Sequence, residues 1–416
     1  MIASIRDGRE RDFLRRGFSR RDFTRISLLL GAAAALPFYN EAALAQLSDI
    51  GPVPPDATKL NANENPMGPC PEAAEAIHNV VQKCGRYMWD EGKKMAETLA
   101  EQEGLKPSYA IAFPGSSDPL HRAVLAHTSP DKPLVIADPS YEAPDLAASF
   151  IGAPVIHVPL RQDYSHDVKA MAAASPDAGL IYVCNPNNPT GTITSKTDIE
   201  WLVANKPAST VVMIDEAYIH ISGEPSVVGL VGADKDVILL RTFSKIYGMA
   251  GLRAGVALGR PDLVTKLRDY GPPSMPVPAM VGATVSLGVK NLVPERRKII
   301  ADIRNDVFDW MTKKNYSFIP SVSNKFMVDV KRPGQEFMAA MAKEKVYIGR
   351  VWPIWPTYVR VTVGSREDME KFKAAFEKVM NAWSVGEAVD VVAIDWAKAL
   401  WIWGHPFDNL RTPLLL

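Results

Sequence analysis

An α/β fold is predicted here, with a large doubly wound, mostly parallel sheet followed by a smaller α/β unit, and three observations predict it. Short β-branched and apolar runs alternate with helical patterns as far as Ser286. Three of those runs, Gly179 to Cys184, Val211 to Asp215 and Asp236 to Arg241, lead into polar residues, and open α/β sheets collect their ligands at such strand ends. The alternation then breaks at Gly271-Pro272-Pro273-Ser274-Met275-Pro276-Val277-Pro278, and a second α/β pattern follows it.

The first 45 residues differ in composition from the rest: arginine-rich as far as Arg25, then apolar from Ile26 to Pro37. Ser19-Arg20-Arg21-Asp22-Phe23 resembles a twin-arginine export motif, and Ala43-Leu44-Ala45 has the small-x-small form of a cleavage site. The apolar stretch is shorter than the roughly 20 residues a helix needs to span a bilayer. Residues 1–45 are therefore expected to be a signal peptide cleaved near Ala45, handled by the twin-arginine translocase and delivering the protein to the periplasm. A retained anchor, or a basic arm belonging to the fold, is the alternative. Residues 46–75 read as an N-terminal arm, extended to Pro55 and turn-rich from Asn61 to Cys70. Residues 76–284 read as the large domain.

Beyond the Pro-rich break, Pro294 to Lys314 is predicted to be a long amphipathic helix burying Ile299, Ile300, Ile303, Val307 and Trp310. Phe326–Val330, Tyr347–Val351 and Tyr358–Val363 are the expected strands of the smaller domain, residues 285–384. The tail, 385–416, has an apolar, tryptophan-rich stretch from Val391 to Trp403, expected to pack on that domain. The chain has 416 residues, 47% of them hydrophobic, enough for a large core. Its formal net charge is zero, which argues against a nucleic-acid partner. The three cysteines, Cys70, Cys84 and Cys184, imply neither a disulfide framework nor a metal site.

Chemistry concentrates at the strand ends. Lys245, in Thr242-Phe243-Ser244-Lys245, lies just past a predicted strand. Desolvation there favours its neutral amine, which can form a Schiff base with an aldehyde cofactor. Ser244 and Arg253 supply a hydroxyl and a guanidinium fork suited to a phosphate. Asp215 ends another strand, with Tyr218 three residues on, and Asn188 follows a third. An aspartate can keep a pyridine nitrogen protonated, and an amide and a phenol can hydrogen-bond the ring's oxygen. Gly115-Ser116-Ser117-Asp118 precedes a helical pattern and suits an anion site. Tyr141, after Pro139-Ser140, can stack on a flat ring. Arg360 lies in an alternating strand, where it can grip a carboxylate in a bidentate manner.

With these residues and the segments Asn61 to Pro69, Arg86-Tyr87, Phe113 to Asp118, Pro139 to Tyr141 and Val359 to Gly364, the chain resembles the fold-type I pyridoxal-phosphate aminotransferases. It is most similar to their histidinol-phosphate branch. The resemblance covers roughly residues 57 to 385 and implies an aspartate-aminotransferase-like fold whose small domain joins the N-terminal segment to the C-terminal part. It implies pyridoxal 5'-phosphate held by Ser116, Ser117, Asp118, Tyr141, Asn188, Asp215, Tyr218, Thr242, Ser244 and Arg253, with Lys245 as the catalytic lysine. Tyr87 would reach a neighbour's cofactor in a homodimer, although Met88 and Trp89 depart from the family pattern there. Arg360, Arg350 and Asn63 would contact the substrate. The implied reaction moves an amino group between an amino acid or related amine and a 2-oxo acid. Trp352 and Trp355 suggest an apolar or aromatic side-chain pocket. A lyase or decarboxylase on the same fold is the rival reading, and a non-catalytic binding protein is a further one.

Overall fold

The computed structural model describes residues 11–22, 24, 40–46 and 50–384. Ile26 to Pro37 and the tail from Val385, with its Val391 to Trp403 stretch, lie outside the described residues.

The large sheet has the order β2 (Ala110–Phe113), β8 (Gly255–Gly259), β7 (Val237–Thr242), β6 (Val211–Asp215), β5 (Leu180–Cys184), β3 (Leu134–Asp138) and β4 (Val155–Pro159). β8 is antiparallel to both of its neighbours, and the other pairings are parallel. The central strands β5, β6 and β7 are buried along their whole length. That is why they read as continuous apolar runs rather than as alternations. Each fully buried Ile or Leu there contributes about 1.5–3 kcal/mol by leaving water. From β3 the chain crosses to β4 on one side and then to β5 on the other. The order thus reverses between β3 and β5, leaving a crevice at their carboxyl ends.

The smaller sheets join distant parts of the chain. β10 (Lys325–Asp329) lies between β9 (Ser317–Ile319) and β12 (Tyr358–Thr362), antiparallel to both. β1 (Thr58–Leu60) pairs in parallel with β11 (Val346–Ile348), so the N-terminal segment is stitched to the C-terminal part as the fold class requires. The long helix runs from Leu292 to Lys313 and buries Arg296, Ile300, Ile303, Val307 and Met311. Ile299 departs from the expected face and is exposed, and Trp310 is half-buried. Positions 296, 300, 303 and 307 follow the three- and four-residue steps of one helix face, which leaves 299 outside it.

Near the start of the chain, Phe18 is buried. The Arg16 guanidinium donates to the Thr128 carbonyl at 2.8 Å and to the Tyr270 hydroxyl at 3.1 Å. The helix Glu41–Gln46 buries Leu44 and Ala45, so the Ala43-Leu44-Ala45 motif is docked on the body.

Candidate active site

A cavity of about 200 Å³ opens at the crevice, and Ser116, Ser117, Tyr141, Asn188, Asp215, Tyr218, Thr242, Ser244, Lys245 and Arg253 line it. One end is an anion cradle. The helix Ser117–His127 begins without a side-chain cap, so its first-turn N–H groups are available to a ligand. Arg253, with φ of 66°, donates to the Ser244 hydroxyl at 3.1 Å and to the Ala250 carbonyl at 3.0 Å. The Thr242 hydroxyl donates to the same serine at 3.0 Å. Left-handed backbone at a non-glycine residue costs energy and concentrates at functional sites. Close approach fixes the glycines here. A Cβ on Gly115 would lie 2.1 Å from the Arg253 guanidinium, and one on Gly255 would lie 2.4 Å from the Gly115 carbonyl carbon.

Lys245 and Asp215 are both buried. Burial lowers the Lys245 ammonium to a pKa of about 8, with the Arg360 and Arg253 charges pushing the same way and Glu41 opposing them. Its Nζ donates to the Asn63 carbonyl at 2.9 Å. Burial raises the Asp215 carboxyl to a pKa of about 6, against the lowering effect of its hydrogen bonds. Those bonds come from the Tyr182 hydroxyl at 3.0 Å and the Ala217 N–H at 3.1 Å. Asn63 also donates to the Tyr218 hydroxyl at 3.1 Å and faces the Asn188 amide oxygen at 3.4 Å. Burial pushes the phenols of Tyr141 and Tyr218 up, so both stay neutral hydrogen-bonding groups.

Arg360 is fully buried on β12. Its guanidinium donates to the Gly349 carbonyl at 3.2 Å, the Asn188 amide oxygen at 3.0 Å and the Asn61 carbonyl at 2.7 Å. Its remaining partner is the Glu41 carboxylate, at 2.6 Å. The second Glu41 oxygen accepts from the Asn188 amide at 3.3 Å and lies 3.7 Å from Arg350. Arg350 is neutralised mainly by Glu142, at 3.0 Å. Trp352 does not line the cavity; its ring lies against both guanidiniums, and its indole N–H donates to the Ser140 carbonyl at 3.0 Å. Trp355 packs on Tyr164 and Tyr358 instead of facing the cavity.

Two expected ligands lie elsewhere in this chain. Asp118, in the first turn of the helix, does not line the cavity and pairs with Arg122 at 3.0 Å, the i,i+4 neighbour that its position on the helix offers. Tyr87 is 74% exposed and stacks on Trp89, away from its own cavity.

Sequence reasoning missed other residues. Glu41 falls in a stretch read as a removable leader, and Glu142 follows Tyr141 without a motif of its own. Glu216, beside Asp215, is buried against Arg241 at 2.8 Å and braces the strand rather than the cavity. Lys325 is wholly buried and lies over the Tyr218 ring. No spacing in the sequence points to these long-range partners. Cys184 is buried as expected and also lines the cavity.

The cradle of uncapped amides, serines and Arg253 fits a phosphate, and the buried lysine and aspartate fit an aldehyde-bearing pyridine. The donor set therefore suits pyridoxal 5'-phosphate. Comparison with known proteins agrees. The family model of the class I and II aminotransferases matches residues 55–376. The chain is 32% identical to the histidinol-phosphate aminotransferase of Moorella thermoacetica, over 78% of this chain and 86% of that protein. It is 33% identical to the aromatic amino acid aminotransferase of Nocardia farcinica, over 76% of this chain and 90% of that one. Its fold is similar to the crystal structure of the Sinorhizobium meliloti histidinol-phosphate aminotransferase in complex with pyridoxal 5'-phosphate, with a TM-score of 0.73 at 23% identity, covering 84% of this chain and 96% of that one. A match running from the arm before β1 into the last described helix leaves the core of the fold inside it, and the chain belongs to the class I and II aminotransferases, as a pyridoxal 5'-phosphate-dependent transaminase.

Proposed function

We propose that this transaminase takes its amino group from an amino acid with an apolar or aromatic side chain, with Arg360 gripping the α-carboxylate and Lys245 moving the Cα proton. The observation that carries this reading is a guanidinium wholly buried beside the cavity and already satisfied by a carboxylate, as a built carboxylate seat should be. Alanines 42, 62, 217 and 250 and the rings of Tyr141 and Tyr218 furnish an apolar wall, and the aromatic amino acid aminotransferases among the relatives support the side-chain class.

The cofactor, when bound, supplies a ring that accepts the electron pair left when Cα loses its proton. Every other task falls to the chain. Ser116, Ser117, Thr242, Ser244 and Arg253 hold the phosphate. Asp215 would keep the ring nitrogen protonated, Asn188 and Tyr218 would hydrogen-bond the ring's phenolic oxygen, and Tyr141 would pack against the ring. Lys245, whose ammonium burial brings down to a pKa of about 8, would bond the aldehyde carbon, give it up to the substrate amine and, as the freed amine, take the proton from Cα. With the carboxylate fixed by Arg360, the Cα–H bond is the one left to break, which favours transamination over decarboxylation. Asn63 holds Lys245 and Tyr218 together, and Arg350 supports the charge of the seat.

The wider expectations belong to the same proposal. The chain divides into an arm at 46–75, a large domain at 76–284 and a small domain at 285–384. It works as a homodimer in which Tyr87 reaches the neighbour's phosphate, and its exposure leaves it available for that contact. It leaves the cytoplasm by the twin-arginine route, which carries folded proteins and would let the cofactor be captured first. Replacing Arg20 and Arg21 with lysine should then stop export, and unchanged export would contradict it.

A panel of single L-amino acids tests the reaction. Donors with apolar or aromatic side chains should convert the cofactor to its aminated form, and a 2-oxo acid should restore it. Release of carbon dioxide without that conversion would point to a decarboxylase.

A further inference from the structure

Glu41 is the residue that the mechanism does not use, although it lies at the centre of the substrate seat. Its carboxylate meets Arg360 at 2.6 Å and accepts from Asn188 at 3.3 Å. It lines the cavity, while Arg360, which it covers, does not. Burial alone would raise the Glu41 carboxyl; Arg360, Arg350 and Lys245 together outweigh it and hold the group charged. The side chain is delivered by a helix fixed at both ends. Asn40 caps it, its side-chain oxygen accepting from the Ala43 N–H at 3.0 Å, and Leu44 and Ala45 are buried at its far end.

Taken together, these contacts are those an amino acid's α-carboxylate would make: two oxygens, one on a buried guanidinium and the other on the neighbouring amide. A substrate carboxylate cannot share that corner with Glu41, because two like charges in contact in a dry site repel strongly.

We propose that Glu41 is a built-in substrate mimic: in the full-length chain its carboxylate occupies the Arg360 seat and excludes the amino acid, and cutting between Ala45 and Gln46 removes it. This rests on the reading of Arg360 as the carboxylate grip. The uncut chain is then a restrained form of the enzyme that can hold cofactor but binds substrate weakly. A tethered carboxylate acts at an effective concentration in the mM range, and a seat that is roughly nine-tenths filled weakens apparent substrate affinity about tenfold. Competition is reciprocal, so a free carboxylate entering the seat removes the Glu41–Arg360 contact and by the same factor weakens the hold on the helix Glu41–Gln46, next to the bond after Ala45.

The test uses the full-length holoenzyme and the variants Glu41→Gln and Glu41→Ala. Affinity for 3-phenylpropanoate is measured by calorimetry, and half-saturation by the best amino donor is measured in the first half-reaction. Both variants should bind the carboxylate about tenfold tighter than the parent, with half-saturation falling by the same factor and the maximal rate unchanged. A protease site engineered at residues 46–49 and cut after folding should give the same gain, and 3-phenylpropanoate should speed that cut. Affinities equal to the parent's, or weaker, would overturn the proposal, as would a cut chain that binds no better. A normal gain in carboxylate affinity with no half-reaction from any donor would support the mimic and count against transamination instead.

Discussion

Lys245 sets the pH dependence of the site. Its ammonium titrates near pH 8 because burial penalises the charge. Capture of pyridoxal phosphate by the apoprotein should therefore speed up about tenfold per pH unit below 8 and level off above it, whereas a lysine at its ordinary pKa would keep accelerating beyond pH 10. The same shift acts on stability. The folded state binds fewer protons than the unfolded state between pH 8 and 10.5, so the lysine's cost is fully present below pH 8 and fades as pH rises through that window. Lys245→Met in the apoprotein should raise stability at pH 7 by about 1–3 kcal/mol, in urea melts, with no gain left by pH 10.5. It should also lower the half-reaction rate by at least roughly 100-fold. Lys245, Asp215 and Asn188 were legible in the sequence because each follows a run too apolar to be anything but a buried strand. Glu41 was not, because its partner Arg360 is distant in sequence and a short alanine-rich stretch carries no hint of a carboxylate aimed inward.

At the scale of elements, strand geometry determines what each position tolerates. β2 and β8 are antiparallel with Phe113 opposite Gly255, and the turn after β2 then presses on Gly255. Gly255→Ala would place a methyl against the backbone of Gly115 and Ser116. It should cost about 1–3 kcal/mol in thermal unfolding and weaken cofactor binding as the cradle shifts. On β12, Arg360→Lys keeps the charge and loses the fork. Half-saturation for the amino acid should rise about 10- to 100-fold with a smaller change in maximal rate, because a point charge replaces a bidentate grip. The central strands were easy to read, since burial on both faces writes an unbroken apolar run. β1, β4 and β9, like β2 and β8, were not singled out. β1 and β9 have three residues each and β4 is largely unburied, so each carries too little pattern to stand out from loop. Expecting strand to Val351 overran β11, which ends at Ile348 before the backbone at Gly349 and Arg350 turns to meet Arg360.

Across the whole molecule, the crevice between β3 and β5, the cradle before the helix Ser117–His127 and the seat on β12 converge from sequence positions more than 200 residues apart. Neither sheet makes a site alone. The α/β order and the stitching of β1 to β11 explain why the arm must be in place before Arg360 has its Asn61 partner and Thr362 its Asn63 partner. A dimer should appear in sedimentation at micromolar concentration, and Tyr87→Phe should weaken cofactor retention without changing the sedimenting species. The most direct test of the central claim is an absorbance spectrum of the purified holoenzyme before and after adding an apolar or aromatic amino acid, then a 2-oxo acid. The visible band of the lysine-held cofactor should give way to the shorter-wavelength band of its aminated form and return with the oxo acid. A cofactor band that no amino acid converts, in the parent or in Glu41→Gln, would contradict the account.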